Sequence, residues 1–282
     1  MLCVRRRFYF YSSTMTYSLS LSNVTTGYRS RCRQLVIGRD INATLRPGML
    51  TCLLGANGSG KSTLLRSLVG FQPLLGGEIQ IGEQAISEIM PSKMAELVGV
   101  VLTERPDVPN MTVRSLVGMG RSPFTGFWGH LDDDDKRIVN ESISLVGIGD
   151  LAERTLDTLS DGERQKALIA KALAQRTPII LLDEPTAFLD YPGKVDLMLL
   201  LRRIARSENK TVLLSTHDIE LALQVADTLW LVDKQMGFTT GTPAELSRNG
   251  CIARYFKSPG LVYDADTMRF LIALGVERQQ TP

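Results

Sequence analysis

The chain is poor in metal-binding side chains, with two histidines and four cysteines among 282 residues. Cys3, Cys32, Cys52 and Cys251 are scattered, with no C-x-x-C pair. That excludes the usual zinc ligand sets and a disulfide framework, and reads as free thiols in a reducing compartment. Long apolar runs are also missing. No stretch approaches the roughly 18 residues that a membrane-crossing helix needs. Excess charge is missing too: 32 basic and 30 acidic residues leave +2, no general attraction for a nucleic-acid backbone. No internal repeat or low-complexity segment stands out. Residues 1–16 carry Arg5-Arg6-Arg7 and Phe8-Tyr9-Phe10-Tyr11. The apolar part is too short for a signal peptide and no cleavage pattern follows. These residues are expected to be a frayed or non-native tail, with Met15 as an alternative start.

Glycine is plentiful, at 24 residues, and its placement is the strongest signal. Gly55-Ala56-Asn57-Gly58-Ser59-Gly60-Lys61-Ser62-Thr63 matches G-x-x-x-x-G-K-[ST], the Walker A pattern. A short buried strand, Met49-Leu50-Thr51-Cys52-Leu53-Leu54, precedes it after the turn Pro47-Gly48. Leu64, Leu65, Leu68 and Val69 follow at helical spacing, and Gly70 reads as a helix stop. Strand, glycine loop and helix are what a triphosphate requires. Glycines let backbone N–H groups approach phosphate oxygens, and the helix N-terminus adds donors and a positive dipole end. Lys61 reaches the β- and γ-phosphates, and the Ser62 hydroxyl ligates Mg²⁺.

Along the chain, Ser18 to Val24 alternates polar and apolar like a half-exposed strand. Tyr28 falls in a turn with Gly27, and residues 34–45 read as more strand, giving an antiparallel start. Residues 76–82 form a short strand, 92–97 a short helix and 98–102 a buried strand. From about 106 to 159 strand signals vanish, and helices are expected at 113–119, 135–146 and 151–154. Then short apolar strands at 179–182, 211–215 and 228–232 alternate with helices at 164–175, 195–207 and 219–226. That alternation signals an α/β fold with a parallel, helix-covered sheet. The run Asp132-Asp133-Asp134-Asp135 reads as a solvated acidic first helical turn, with a cation site as the lesser alternative.

Ile179-Ile180-Leu181-Leu182 is followed by Asp183 and Glu184. A buried strand explains the apolar residues but not two acids at its C-terminal edge, where ligands sit in open α/β sheets. Asp183 suits Mg²⁺, and Glu184 suits an attacking water. Leu159-Ser160-Asp161-Gly162-Glu163 opens the preceding helix. Ser160 with Glu163 makes a capping box, and Gly162 with free N–H groups makes a second anion site. His217, between strand and helix, is either structural or a γ-phosphate sensor. Asp190 alone reads as a helix cap.

Together these residues resemble the ATP-binding subunit of ABC transporters, from about residue 18 to 257. Walker A is 55–62, Walker B ends at Asp183-Glu184, and the signature is 159–163. Asp190 ends the D-loop and His217 is the switch histidine. The resemblance implies an ABC-type nucleotide-binding domain at 17–257, with a RecA-like parallel core, an N-terminal antiparallel β subdomain and a helical insert at about 106–159. Residues 258–282 form a short tail, with a helix expected at 267–274. Tyr28 matches the aromatic that stacks on adenine. Gly120-Arg121-Ser122-Pro123-Phe124 with Trp128-Gly129, the stretch from Leu181 into Val195-Asp196-Leu197-Met198, and Gly241 to Leu246 look most like importers of iron–siderophore, haem and vitamin B12. The implied catalytic set is Glu184, His217 and Lys61. ATP contacts are Tyr28, 55–63, Ser160, Gly162 and Asp190.

Two departures stand out. Asp161 and Glu163 replace a glycine and the glutamine of the usual Leu-Ser-Gly-Gly-Gln. They would repel a γ-phosphate unless they point away, and Arg164 and Lys166 offset them. The Q-loop glutamine is absent, with Thr103 or Glu104 in its place, and Glu104 becomes a candidate Mg²⁺ ligand beside Ser62 and Asp183. The implied partners are a second copy of the chain, a membrane permease and, indirectly, a substrate-binding protein, at the cytoplasmic face of the cell membrane, with no nucleic acid. The alternatives are a soluble ABC-type ATPase acting on DNA, ribosomes or iron–sulfur assembly, and a non-hydrolysing regulatory module.

Overall fold

The computed structural model describes residues 17–30, 33–102, 109–126 and 129–273. Strands β1 (Leu19–Arg29) and β2 (Gln34–Leu45) form a long hairpin, and β3 (Leu50–Leu54) leads into helix α1 (Lys61–Leu68). β4 (Gly76–Ile81), β5 (Gln84–Ala85), α2 (Pro91–Leu97) and β6 (Val98–Val101) follow. Helices α3 (Val113–Gly118) and α4 (Asp133–Leu145) precede the long α5 (Asp161–Ala174). Then come β7 (Ile179–Leu182), α6 (Tyr191–Ser207), β8 (Thr211–Thr216), α7 (Ile219–Val225), β9 (Thr228–Asp233) and β10 (Gly237–Gly241). The chain closes with α8 (Pro243–Arg248), α9 (Cys251–Tyr255) and the hairpin β11 (Leu261–Asp264) and β12 (Arg269–Ile272).

The main sheet runs β10-β9-β3-β8-β7-β6, with every pair parallel except β10 against β9. A second, antiparallel sheet runs β2-β1-β4-β5. Each central strand is a run of apolar residues because both faces of the main sheet are covered. The period-two alternation of a strand divides them. Leu50, Cys52, Leu54, Ile180, Leu182, Val212 and Leu214 pack in one cluster with α5, α6 and α7. Leu53, Ile179, Leu181, Leu213 and Trp230 pack in the other, against α1 and the antiparallel sheet. Each fully buried leucine in these layers contributes roughly 1.5–3 kcal/mol.

The α/β class, parallel core, antiparallel β sheet and helical region between β6 and β7 follow the sequence reading. Four local expectations do not, the fourth being the acidic run at 132–135. Gly27 and Tyr28 lie inside β1, paired with Val36 and Leu35, rather than in a turn. Gly27 is needed there because a Cβ would lie 2.1 Å from the Leu35 carbonyl oxygen. Residues 269–272 form a strand, not a helix. Asp264 accepts hydrogen bonds from the Asp266 N–H and the Thr267 hydroxyl to close the turn, and Phe270 packs against Phe256 and Tyr263. The helix at 151–154 is a 3₁₀ turn at Gly149–Leu151, and Thr112 and Thr155 form an isolated β-bridge.

The acidic run divides in two. Asp132 caps α4 in a capping box with Asp135, while Asp133 and Asp134 face solvent. Asp135 is buried and paired with Arg121, so it does not belong to a solvated turn. Among the described residues no helix is long and apolar enough to cross a membrane.

Candidate nucleotide site

The site grows from the C-terminal ends of the parallel strands. β3 stops at Leu54 and α1 starts at Lys61, so residues 55–60 form a loop between strand and helix. Gly55 and Gly60 are required by space. A Cβ on Gly55 would lie 2.3 Å from the Val232 carbonyl oxygen. Gly60, which caps α1, has φ 108°, and a Cβ there would lie 2.4 Å from Ile37 Cγ2. Gly58 also has a positive φ, 72°. The bare backbone therefore leaves a cradle at the α1 N-terminus, as phosphate oxygens require.

Lys61 is 5% exposed and folds back over the loop. Its Nζ donates to the carbonyls of Gly55 at 3.0 Å and Ala56 at 3.4 Å. The same atom lies 3.4 Å from His217 Nε2 and 3.9 Å from Glu184 Oε1. Burial pushes the Lys61 ammonium below its ordinary range, with Glu184 and Asp183 opposing the shift.

Asp183 and Glu184 leave the end of β7 together and are held differently. Asp183 N–H donates to the Val101 carbonyl at 2.9 Å. Its Oδ1 accepts from Ser215 Oγ at 2.6 Å and from Ser62 Oγ at 3.3 Å. Glu184 has φ 48°, left-handed for a residue with a side chain. That conformation costs about 1–2 kcal/mol. It sets the Glu184 carboxylate 2.5 Å from His217 Nε2 while its N–H donates to Ser215 Oγ at 2.9 Å. Ser215 thus fixes both acids. It is fully buried in β8, one residue before the strand ends at Thr216, and the sequence pattern does not single it out.

Two carboxylates and one ammonium leave this cluster anionic when His217 is neutral, so a bound triphosphate needs a cation. Among the described residues no group of three or more histidine, cysteine, aspartate or glutamate side chains forms a metal cage. Ser62 Oγ and Asp183 Oδ1 fit Mg²⁺, which takes one or two protein oxygens and completes its shell with phosphate and water. Thr103 and Glu104 lie outside the described residues.

Tyr28 is 44% exposed, and its hydroxyl shares a hydrogen bond with Thr63 Oγ1 at 3.1 Å. Ser160 caps α5 in the expected capping box. The Glu163 carboxylate accepts from the Ser160 N–H at 2.8 Å and its hydroxyl at 2.9 Å, which hold that carboxyl below the usual range. Gly162 faces Leu189, 3.6 Å from where its Cβ would be. Asp190 caps α6, accepting from Gly193 N–H at 3.0 Å. The fold therefore gathers 55–63, Asp183, Glu184 and His217 at one sheet edge. The contacts of Ser160 and Gly162 lie with Glu163 and Leu189.

Comparison with known proteins agrees with this geometry. The ABC transporter family model matches residues 39–187. The achromobactin transport ATP-binding protein of Dickeya dadantii is 36% identical over 241 residues, covering 85% of this chain and 87% of that one. A solved inward-facing transporter, assigned to the metal-chelate type of ABC transporter, aligns with a TM-score of 0.74 and 28% identity, over 90% of this chain and 95% of its own. A dimeric ATP-binding cassette in a post-hydrolysis state with ADP and Pi aligns with a TM-score of 0.66 and 25% identity, over 77% and 94%. With its strand–loop–helix cradle, paired acids and matched sequence, the chain belongs to the ABC transporter family, among its ATP-binding subunits.

Proposed function

We propose that this chain binds Mg-ATP at residues 55–63 and hydrolyses it as the motor of a membrane importer for metal chelates of the siderophore, haem or cobalamin kind. The observation that carries the reading is the convergence of Glu184, His217 and Lys61 within 3.9 Å of one another beside a cradle that only glycine permits. Lys61 exchanges the carbonyls of Gly55 and Ala56 for β- and γ-phosphate oxygens. Ser62 and Asp183 would hold Mg²⁺, which would supply positive charge against the phosphates. Glu184, already aimed at His217, orients water for in-line attack, and His217 and Lys61 support the charge that develops. Tyr28 offers its ring to adenine. Glu104 is a further candidate metal ligand, tested by the Mg²⁺ dependence of Glu104→Ala.

Ser160 and Gly162 serve the nucleotide held by a second copy, with Asp190 beside them, as the resemblance implies. Two copies then close around two nucleotides, and hydrolysis reopens them. The dimeric cassette and the transporter among the similar structures support this arrangement. The motor sits peripherally at the cytoplasmic face of the cell membrane, joined to a permease that receives chelate from a binding protein. Residues 17–257 form the working domain, with 106–159 as its helical insert. The chelate cargo is supported by the achromobactin relative and the metal-chelate transporter. The deciding experiment measures Mg-ATP turnover of the purified chain and of Glu184→Gln. The variant is expected to keep ATP and lose on the order of 10²–10⁴-fold in rate. Parent-like hydrolysis in it would remove Glu184 from its role.

A further inference from the structure

The helical region between β6 and β7 contains a buried ion pair that the nucleotide chemistry does not use. Arg121 is 2% exposed and Asp135 6%. Arg121 Nε donates to Asp135 Oδ1 at 2.8 Å, and its Nη1 donates to the Ala174 carbonyl at 2.9 Å. Its guanidinium carbon stands 4.2 Å from the centre of the Phe124 ring. Asp135 is itself committed, since its other oxygen accepts the Asp132 N–H in the α4 capping box. Next door, Gly120 admits α5 so closely that a Cβ would lie 2.2 Å from the Lys171 carbonyl oxygen. One side chain therefore ties the turn after α3, the start of α4 and the last turn of α5.

Stability alone does not account for this choice. An apolar pair of similar volume is often as stable as a buried ion pair, or more so. A fork of directional bonds supplies register instead. What it registers is α5, whose far end carries Ser160 and Gly162. A 14-residue helix is about 21 Å long, so a tilt of about 5° at its C-terminus moves its tip by about 2 Å. We propose that Arg121 is a positioning residue that fixes where the Ser160–Gly162 tip is presented to the nucleotide of a second copy. The inference rests on the two-copy reading above.

The test uses the full chain with Glu184→Gln, so that hydrolysis does not dissolve the pair. Three quantities are read: affinity for a fluorescent ATP analogue at protein concentrations too low for pairing, dimer fraction against Mg-ATP by sedimentation, and Tm. The double variant Arg121→Met/Asp135→Leu restores packing without the directional bonds. It is expected to keep Tm and analogue affinity near the parent while the ATP needed for half-maximal dimer rises about tenfold or more. Arg121→Lys keeps the charge but not the fork, and is expected to shift dimerisation in the same direction, which carries the test should the double variant fail to fold. Parent-like dimerisation in the folded variants overturns the positioning role. A parent that never dimerises with ATP overturns the two-copy reading itself.

Discussion

Gly60 shows how one residue carries the site. With φ 108° and Ile37 Cγ2 at 2.4 Å from a would-be Cβ, it tolerates neither a side chain nor the strain of one. Left-handed backbone alone costs an alanine about 1–2 kcal/mol, and where the free loop relaxes to escape it, re-forming the cradle for ATP costs the same, roughly five- to thirty-fold in affinity. Gly60→Ala is therefore expected to weaken ATP binding by about tenfold or more, read by nucleotide titration, with a smaller change in Tm. Lys210 carries a separate prediction. Its Nζ donates to the Thr177 carbonyl at 2.7 Å, and burial pushes its ammonium down to about 8, with Glu208 opposing and Arg176 adding. The folded chain then gives up this proton near pH 8 and the unfolded chain near 10.5, so the folded state binds fewer protons between them. Stability from this group rises with pH across that window. Urea unfolding at pH 8 and pH 10.5 should show the parent gaining on Lys210→Met as pH rises. The glycine pattern and Lys61 were legible in the sequence because phosphate binding requires them locally. Ser215 was not, since its value depends on β7 and β8 lying side by side.

At the scale of elements, apolar runs announced the parallel strands correctly, because strands buried on both faces admit little else. The C-terminal hairpin was missed. Residues 267–274 carry a helix-compatible pattern, but Phe270 finds Phe256 and Tyr263, and its N–H donates to Glu220 at 2.9 Å. Ser247 and the Tyr263 hydroxyl add a hydrogen bond at 2.5 Å. Glu220 sits on α7, Ser247 on α8 and Phe256 directly after α9, and a local pattern holds no information about them. Phe270→Ala is expected to cost about 2 kcal/mol, below the range for a fully buried phenylalanine because the ring is only partly buried. Ile272→Ala, at a position 75% exposed, should stay within about 0.5 kcal/mol. Chemical denaturation of the two variants checks the contrast.

For the whole molecule, the sheet divides the core into two layers and leaves its strand ends as the working edge. A Glu184→Gln chain is expected to sediment as a dimer with Mg-ATP and as a monomer with ADP. ATP-loaded monomers throughout would argue against pairing. Cells lacking the gene are expected to lose ATP-dependent uptake of a labelled metal chelate, and unchanged uptake of every chelate tested would remove the proposed cargo class.

From the residues alone came the glycine loop, the acids at the end of an apolar strand and the α/β alternation, because each is dictated by contacts within a few positions along the chain. Only tertiary structure decided the rest. It brought Lys61 within 3.4 Å of His217, 156 residues away, set Ser215 beneath both acids, placed Tyr28 in a strand and buried Asp135 against Arg121. Those outcomes depend on which strands and helices become neighbours, a matter settled by burying two apolar layers at once.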